Sequence, residues 1–148
     1  MKVNIHCGDK TREGYSNFDI RASGDTKLKQ VKDYSMIQCS ANEIEEMVAH
    51  AGTLESMTRS EIPERLKSWY ERIKPGGSLK LSFIESKKIA TSYSYNNMDL
   101  VSYESHISSC KSLHSMFEVR NTLIALGFKI KTSDFSINDY IGTIHAEK

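Results

Sequence analysis

The chain has 148 residues, of which 39% are apolar and 26% charged. That composition suits one folded domain spanning residues 1–148 and excludes the low-hydrophobicity, high-charge signature of disorder. With 20 basic and 19 acidic residues the net charge is +1, so no whole-molecule field draws the protein to nucleic acid or to an anionic membrane.

Cys7, Cys39 and Cys110 are widely spaced and form no CxxC pair, which argues against a disulfide framework or a zinc cluster and for a reducing compartment. His6, His50, His106, His114 and His145 lack metal-site spacing. The opening MKVNIHCGDK turns polar within a few residues, unlike the apolar core of a signal peptide. No stretch approaches the roughly 20 apolar residues of a membrane helix. The expected location is the cytoplasm.

In chain order, Val3–Ile5 is a β-branched run that breaks at Cys7-Gly8-Asp9, a strand entering a glycine turn. Tyr15–Ile20 predicts a second short strand, and the gap between the two is too short for a full crossover helix. Residues 21–35 are polar and lysine-rich and read as a surface connection. Ser35–Cys39 predicts a brief strand, and Met47–Ala51 a buried one ending at Gly52.

Thr58-Arg59-Ser60-Glu61 has the pattern of a capping box, Pro63 falls in the first turn, and Ile62, Leu66, Trp69, Tyr70 and Ile73 recur at helical spacing. The spacing predicts a helix that stops at Lys74-Pro75-Gly76-Gly77, with Trp69 and Tyr70 as packing residues on its apolar face. Leu79, Leu81 and Phe83 then alternate as a half-buried strand. Residues 85–110 have weak periodicity and predict a loop excursion, in which Tyr93, Tyr95, Asp99 and Tyr103 are acceptor-side candidates. A second amphipathic helix runs through Leu113, Met116, Phe117, Leu123 and Ile124 to Gly127. Phe128–Lys131 and Tyr140–Ala146 predict a hairpin. The expected fold is α/β, its sheet mostly parallel with a C-terminal antiparallel hairpin and shortened helices in the first half.

Three ordered segments, VNIHCGDKTREGYSNFDI, VAHAGTLESMTRSEIPERLKSWYERIKPGGSLKLSF and LIALGFKI, resemble the class I S-adenosylmethionine-dependent methyltransferases, in particular the small type 11-like family. In that family the first strand commonly ends in hydrophobic-Asn-hydrophobic-Gly-Cys-Gly, followed by Gly-aromatic-x-Asn-x-Asp. Here those positions are Val3-Asn4-Ile5-His6-Cys7-Gly8 and Gly14-Tyr15-Ser16-Asn17-Phe18-Asp19. The helix-Lys-Pro-Gly-Gly-strand feature matches residues 59–83 and is the most specific part of the resemblance.

The resemblance implies a Rossmann-like sheet, S-adenosylmethionine as cofactor, and a cofactor site drawn from His6, Cys7, Gly8, Asp19, Asp33, Gly52, Thr53 and Leu54. Gly8 would let backbone approach the methionine moiety, Asp19 would accept the ribose hydroxyls, and Asp33 is the nearest candidate beside the adenine. Two departures stand out. His6 replaces the first glycine of the turn, and Gly52-Thr53-Leu54-Glu55-Ser56 stands where the family usually reads His-x-Leu-Glu-His. For Glu55, compensation of a helix start and a pocket role both remain open. Cys7 reads as small packing under the turn rather than as a nucleophile. The implied function is methyl transfer to a small-molecule or saccharide acceptor, and the competing expectation is a catalytically inactive binding or interaction protein of the same fold. A homo-oligomer or partner subunit could complete so short a chain.

Overall fold

The structure is a computed structural model that describes residues 1–6, 8–21, 26–34 and 37–148. The strands are β1 (Lys2–Ile5), β2 (Ser16–Asp19), β3 (Leu28–Gln30), β4 (Ile44–Ala49), β5 (Ile73–Ile84), β6 (Lys129–Ser136) and β7 (Ile141–Glu147). They form one sheet in the order β3-β2-β1-β4-β5-β7-β6. The first five run parallel, and β7 enters antiparallel between β5 and β6. Strand order reverses between β1 and β4, which makes their C-terminal ends the topological switch point.

Among the described residues four helices accompany the sheet: α1 (Glu61–Arg72), α2 (Ser86–Ser94), α3 (Leu100–Ile107) and α4 (Met116–Leu126). Among the described residues before Glu61 the shortening of helices is complete, and no α-helix forms. Residues 6–15 connect two parallel strands without the dozen or more residues that a crossover helix needs. In place of helix side chains, Tyr34 and Ile37 from the segment after β3 enter the core, each about 2% exposed.

The missing layer leaves its mark on the strands. Val3, Ile5, Met47, Ala49, Leu79, Leu81, Phe83, Ile144 and Ala146 share one face by register, and all are buried. Ile62, Leu66 and Trp69 of α1 and Val119 and Leu123 of α4 belong to the same core. The opposite face carries the exposed or half-buried Lys2, Glu46, Ser78, Lys80, Ser82, Thr143 and His145 beside the buried Asn4 and Val48. Lys2 pairs with Glu46 at 3.6 Å and Ser82 Oγ bonds Thr143 Oγ1 at 2.9 Å across that face. A face that no helix covers must be wettable, and alternation of apolar and polar side chains achieves this.

Several sequence expectations shift in detail. The strand predicted at Ser35–Cys39 lies partly outside the described residues, and residues 37–40 form no strand. The connection expected over 21–35 contains β3, an edge strand with two of its three residues exposed. At the start of α1, Glu61 Oε2 accepts from the Thr58 N–H and hydroxyl, each at 2.7 Å, but the helix begins one residue after Ser60, whose side chain makes no cap. The helix stops at Arg72, and β5 already runs through Pro75-Gly76-Gly77 as an irregularity in its pairing with β4. Gly77 is required there, because a Cβ would sit 2.8 Å from Ile73 Cγ2 and 2.9 Å from the Lys74 carbonyl oxygen.

The excursion after β5 is two short helices, not loop. Glu85 caps α2 by accepting the Lys88 N–H at 2.8 Å, and Asp99 caps α3 by accepting the Ser102 N–H at 2.8 Å. Their periodicity is weak because α2 buries only Ile89 and α3 buries nothing. Trp69 is fully buried and Tyr70 packs edge-on against Phe128, as packing residues should. A full capping box between Ser115 and Glu118 opens α4, and Gly127, at φ +103°, closes it.

Candidate functional site

The switch point opens into a cleft of about 340 Å³ at the C-terminal ends of the parallel strands. His6 follows β1, Arg21 follows β2, and His50 and Ala51 follow β4, while Ser82 of β5, Ile141 of β7, and Asp9, Lys10 and Asp139 complete the wall. The lining is predominantly polar and carries both charge signs.

Two buried asparagines hold the loop between β1 and β2. Asn4 and Asn17, paired in register on β1 and β2, point to the helix-free face. Asn4 Nδ2 donates to Asn17 Oδ1 at 2.8 Å and to the Lys10 carbonyl at 3.0 Å. Asn17 accepts the Arg12 N–H at 2.9 Å and donates to the Arg12 and Tyr15 carbonyls at 3.1 and 3.2 Å. Loop 8–15 is thereby clamped onto the sheet, with Asn17 using its full amide capacity.

That network also fixes His50. With the Asn4 amide nitrogen committed, its oxygen faces the ring, so His50 Nε2–H donates to Asn4 Oδ1 at 2.9 Å. Burial, then the neighbouring Arg12 and Lys10 charges and His6 and Lys80, hold the His50 pKa down at about 4. The ring is therefore neutral at physiological pH, with Nδ1 carrying a lone pair. Metal-ligand spacing alone leaves His50 undistinguished from the other histidines. Its signal is positional, the first polar side chain beyond a buried strand at a sheet's reversal point.

Asp19 closes β2 with a side chain that is 0% exposed. Oδ1 accepts the Arg21 backbone N–H at 2.8 Å and Nε–H at 3.1 Å, while Oδ2 accepts Arg21 Nη2–H at 2.9 Å and the Gly8 N–H at 2.8 Å. Burial would raise its pKa, but the Arg21 side chain, the Arg21 backbone and the Gly8 N–H overrule that and hold it at about 2. Gly8 has φ +52°, and the Arg21 guanidinium lies where its missing side chain would point, with Nη2 3.0 Å from an ideal Cβ. Arg21 is not among the residues that the sequence singles out.

His6 is the other unexpected occupant. It adopts φ +54°, which is uncommon for a residue with a side chain. Its Nδ1 lies 2.6 Å from the Tyr34 hydroxyl, and its ring edge covers Gly52 so closely that a Cβ there would fall 2.3 Å from Nε2. Burial lowers its pKa, against the opposing pull of Asp19. The chain thus has an imidazole at 6 where a glycine was expected and a glycine at 52 where a histidine was expected. The two departures are one exchange, each making room for the other.

The remaining expected residues are distributed as follows. Cys7 lies outside the described residues. Gly52, at φ +98°, sits beneath His6. Thr53 and Leu54 are fully buried, Leu54 in the main core. Asp33 is on the surface, 3.7 Å from Arg65, and does not line the cleft. Glu55 joins the end of β5 to the turn after β4, accepting the Ile84 and Gly52 N–H groups, which gives it a structural clamp role. Tyr93, Tyr95, Asp99 and Tyr103 lie on or beside α2 and α3 and do not line the cleft, and Tyr93 stacks on Tyr103.

The donor set can be tested against a nucleoside. On the β1–β2 side it fits once Arg21 moves: a fully buried carboxylate and a left-handed glycine turn lie behind that residue, which itself lines the cleft. On the β4 side the space over Gly52 is already filled by His6.

No family model matches the chain, and no curated protein matches it in sequence. Solved structures match it closely in fold. A SAM-dependent methyltransferase from Archaeoglobus fulgidus superposes with TM-score 0.68 at 13% identity, covering 99% of this chain and 85% of its own. A proposed methyltransferase in complex with the Trm112 methyltransferase activator, from Haloferax volcanii, gives 0.64 at 12%, covering 99% and 81%. A possible exported protein from Bordetella parapertussis gives 0.65 at 14%, covering 99% of this chain, which spans 61% of that structure's length. The fold is the Rossmann-like fold of the class I methyltransferases.

Proposed function

We propose that the chain binds S-adenosylmethionine at the β1–β4 switch point and is a methyltransferase acting on a small-molecule or saccharide acceptor. The observation that carries this reading is the fully buried Asp19 carboxylate at the end of β2, beside the left-handed Gly8 turn and behind Arg21, which lines a polar cleft. A ligand's ribose hydroxyls would be held by Asp19, and Gly8 would admit its chain against bare backbone. When bound, the cofactor supplies an electrophilic sulfonium methyl group. His50 offers Nδ1 as a hydrogen-bond acceptor toward the acceptor's O–H or N–H, in a tautomer set by Asn4. Lys10, Ser82, Asp9 and Asp139 supply the mixed donors and acceptors that a hydroxylated acceptor needs. Free thiols at Cys39 and Cys110 agree with a cytoplasmic setting. The Haloferax complex is a precedent for a partner subunit beside such a fold.

Isothermal titration with S-adenosylmethionine and S-adenosylhomocysteine tests the reading. Binding that is lost in Asp19→Ala is expected; no heat at millimolar ligand for either compound would refute it. A second reading, a binding subunit of this fold that performs no transfer, is favoured by His6 occupying the space over Gly52. It predicts cofactor binding without methyl transfer to any acceptor, and turnover of labelled methyl groups would defeat it.

A further inference from the structure

We infer that Arg21 is a specificity-determining residue of the cleft, a built-in competitor that holds the carboxylate a ribose diol must take. The inference rests on the cofactor reading above and deepens it.

An ionised carboxylate has about four acceptor positions. On Asp19 all four are used, three by Arg21 and one by the Gly8 N–H. The Nε and Nη2 groups of the guanidinium reach the two oxygens as a fork, which presents two parallel donors to one carboxylate. A vicinal diol presents two O–H donors to the same pair of oxygens, so guanidinium and diol cannot be satisfied together. The guanidinium also roofs Gly8, as the 3.0 Å approach to its absent Cβ records. It therefore covers both features that make this end of the cleft suitable for a nucleoside.

Release is structurally cheap. The Arg21 side chain is 58% exposed while that of Asp19 is 0% exposed, so the arginine can swing outward without disturbing core packing. Asp19 keeps its backbone donors from Gly8 and Arg21 in either state. The charge-assisted pair, stronger than a neutral hydrogen bond, opposes displacement. A ligand enters only if its remaining contacts outweigh that pair, which discriminates a complete cofactor from fragments such as free adenosine.

The test is calorimetric titration of the full chain and its Arg21→Ala variant with S-adenosylhomocysteine and with its 2′,3′-dideoxy analogue. Removing the competitor should tighten S-adenosylhomocysteine binding by about 10- to 100-fold, the scale of a lost charge-assisted hydrogen bond. The dideoxy analogue should gain far less. In the wild-type chain, the Arg21 Nε–H resonance should shift toward the solvent-exposed position as ligand saturates. Equal or weaker binding by Arg21→Ala overturns the inference while leaving the cofactor reading intact, as does an unchanged Nε–H resonance in the saturated wild type. Binding by neither protein at millimolar ligand overturns both. Should Arg21→Ala fail to fold, Arg21→Gln and the wild-type resonance give the same decision.

Discussion

If His6 and Gly52 are one exchange, their substitutions must be coupled in stability. Gly52→Ala places a side chain at φ +98° and a Cβ 2.3 Å from His6 Nε2. The backbone term costs about 1–2 kcal/mol. Displacing the ring from the Tyr34 hydroxyl adds about 1 kcal/mol, with lost packing bringing the total to about 3 kcal/mol. For His6→Gly, loss of the Tyr34 contact opposes relief of the residue's own left-handed backbone, two terms of about 1 kcal/mol each, so the net change is near zero. In the double variant only the backbone term at 52 remains, about 1.5 kcal/mol, so the interaction energy is about 1.5 kcal/mol. Urea unfolding followed by Trp69 fluorescence measures all three, since Trp69 is the sole tryptophan and fully buried. For a chain of this size Gly52→Ala alone should lower Tm by about 6–12 °C. Equal destabilisation by Gly52→Ala in the wild-type chain and in the His6→Gly variant would refute the shared-space argument.

Three further outcomes are expected. Asn17→Ala removes four hydrogen bonds from loop 8–15 and its Asn4 support and should cost about 2–4 kcal/mol; hydrogen exchange should show lost protection at the Arg12 amide. Glu85→Ala removes the carboxylate that accepts the Lys88 and Met116 N–H groups, loosening α2 and α4 together, with about 2–3 kcal/mol lost in urea unfolding and reduced helical circular dichroism. His50 has a folded pKa of about 4, below its ordinary 6.5, so the folded state binds fewer protons than the unfolded chain between those values. Its contribution is fully present above pH 6.5 and is lost as pH falls toward 4, and stability should drop across that window with a shallower slope in His50→Gln. A profile that is flat from about pH 6.5 to about 4.5 would contradict it.

What could be read from the sequence depended on whether a residue's task is written in its own neighbourhood. The helix at Glu61–Arg72 and the stop at Gly127 are local signals, and the structure places both where the pattern put them, within a residue or two. β3 was illegible because an edge strand that buries none of its residues has no apolar alternation. The helices α2 and α3 were missed for the same reason, their apolar faces being almost unused. Around the cleft, Gly8 and Asp19 were singled out through a family pattern, whereas Arg21 and His50 were not. Their roles arise from contacts that only the folded chain makes, Arg21 turning back on a carboxylate two residues away and His50 reaching Asn4 from 46 residues further along the chain. The exchange of His6 and Gly52 was visible only as two separate anomalies until β1 and β4 were placed side by side.

The uncovered sheet face and the cleft have a common cause. Without a crossover helix after β1, the turn that carries Gly8 runs directly into loop 8–15, and the amides of Asn4 and Asn17 hold that loop to the sheet. In a doubly wound sheet the first helix would anchor such a turn through its own packing. Here a hydrogen-bonded clamp replaces hydrophobic packing, and the same Asn4 that anchors the loop also orients His50. Loss of Asn4 should therefore disturb the Gly8 loop and the His50 side of the cleft together, because one amide serves both. The polar strand face beside them follows from the same omission: Lys80, Ser82 and Thr143 stand where helix-facing apolar residues would otherwise be needed. Shortening the fold in this way moves the burden of precision from a packed layer to a few buried amides, so the cleft's geometry is most vulnerable at Asn4 and Asn17.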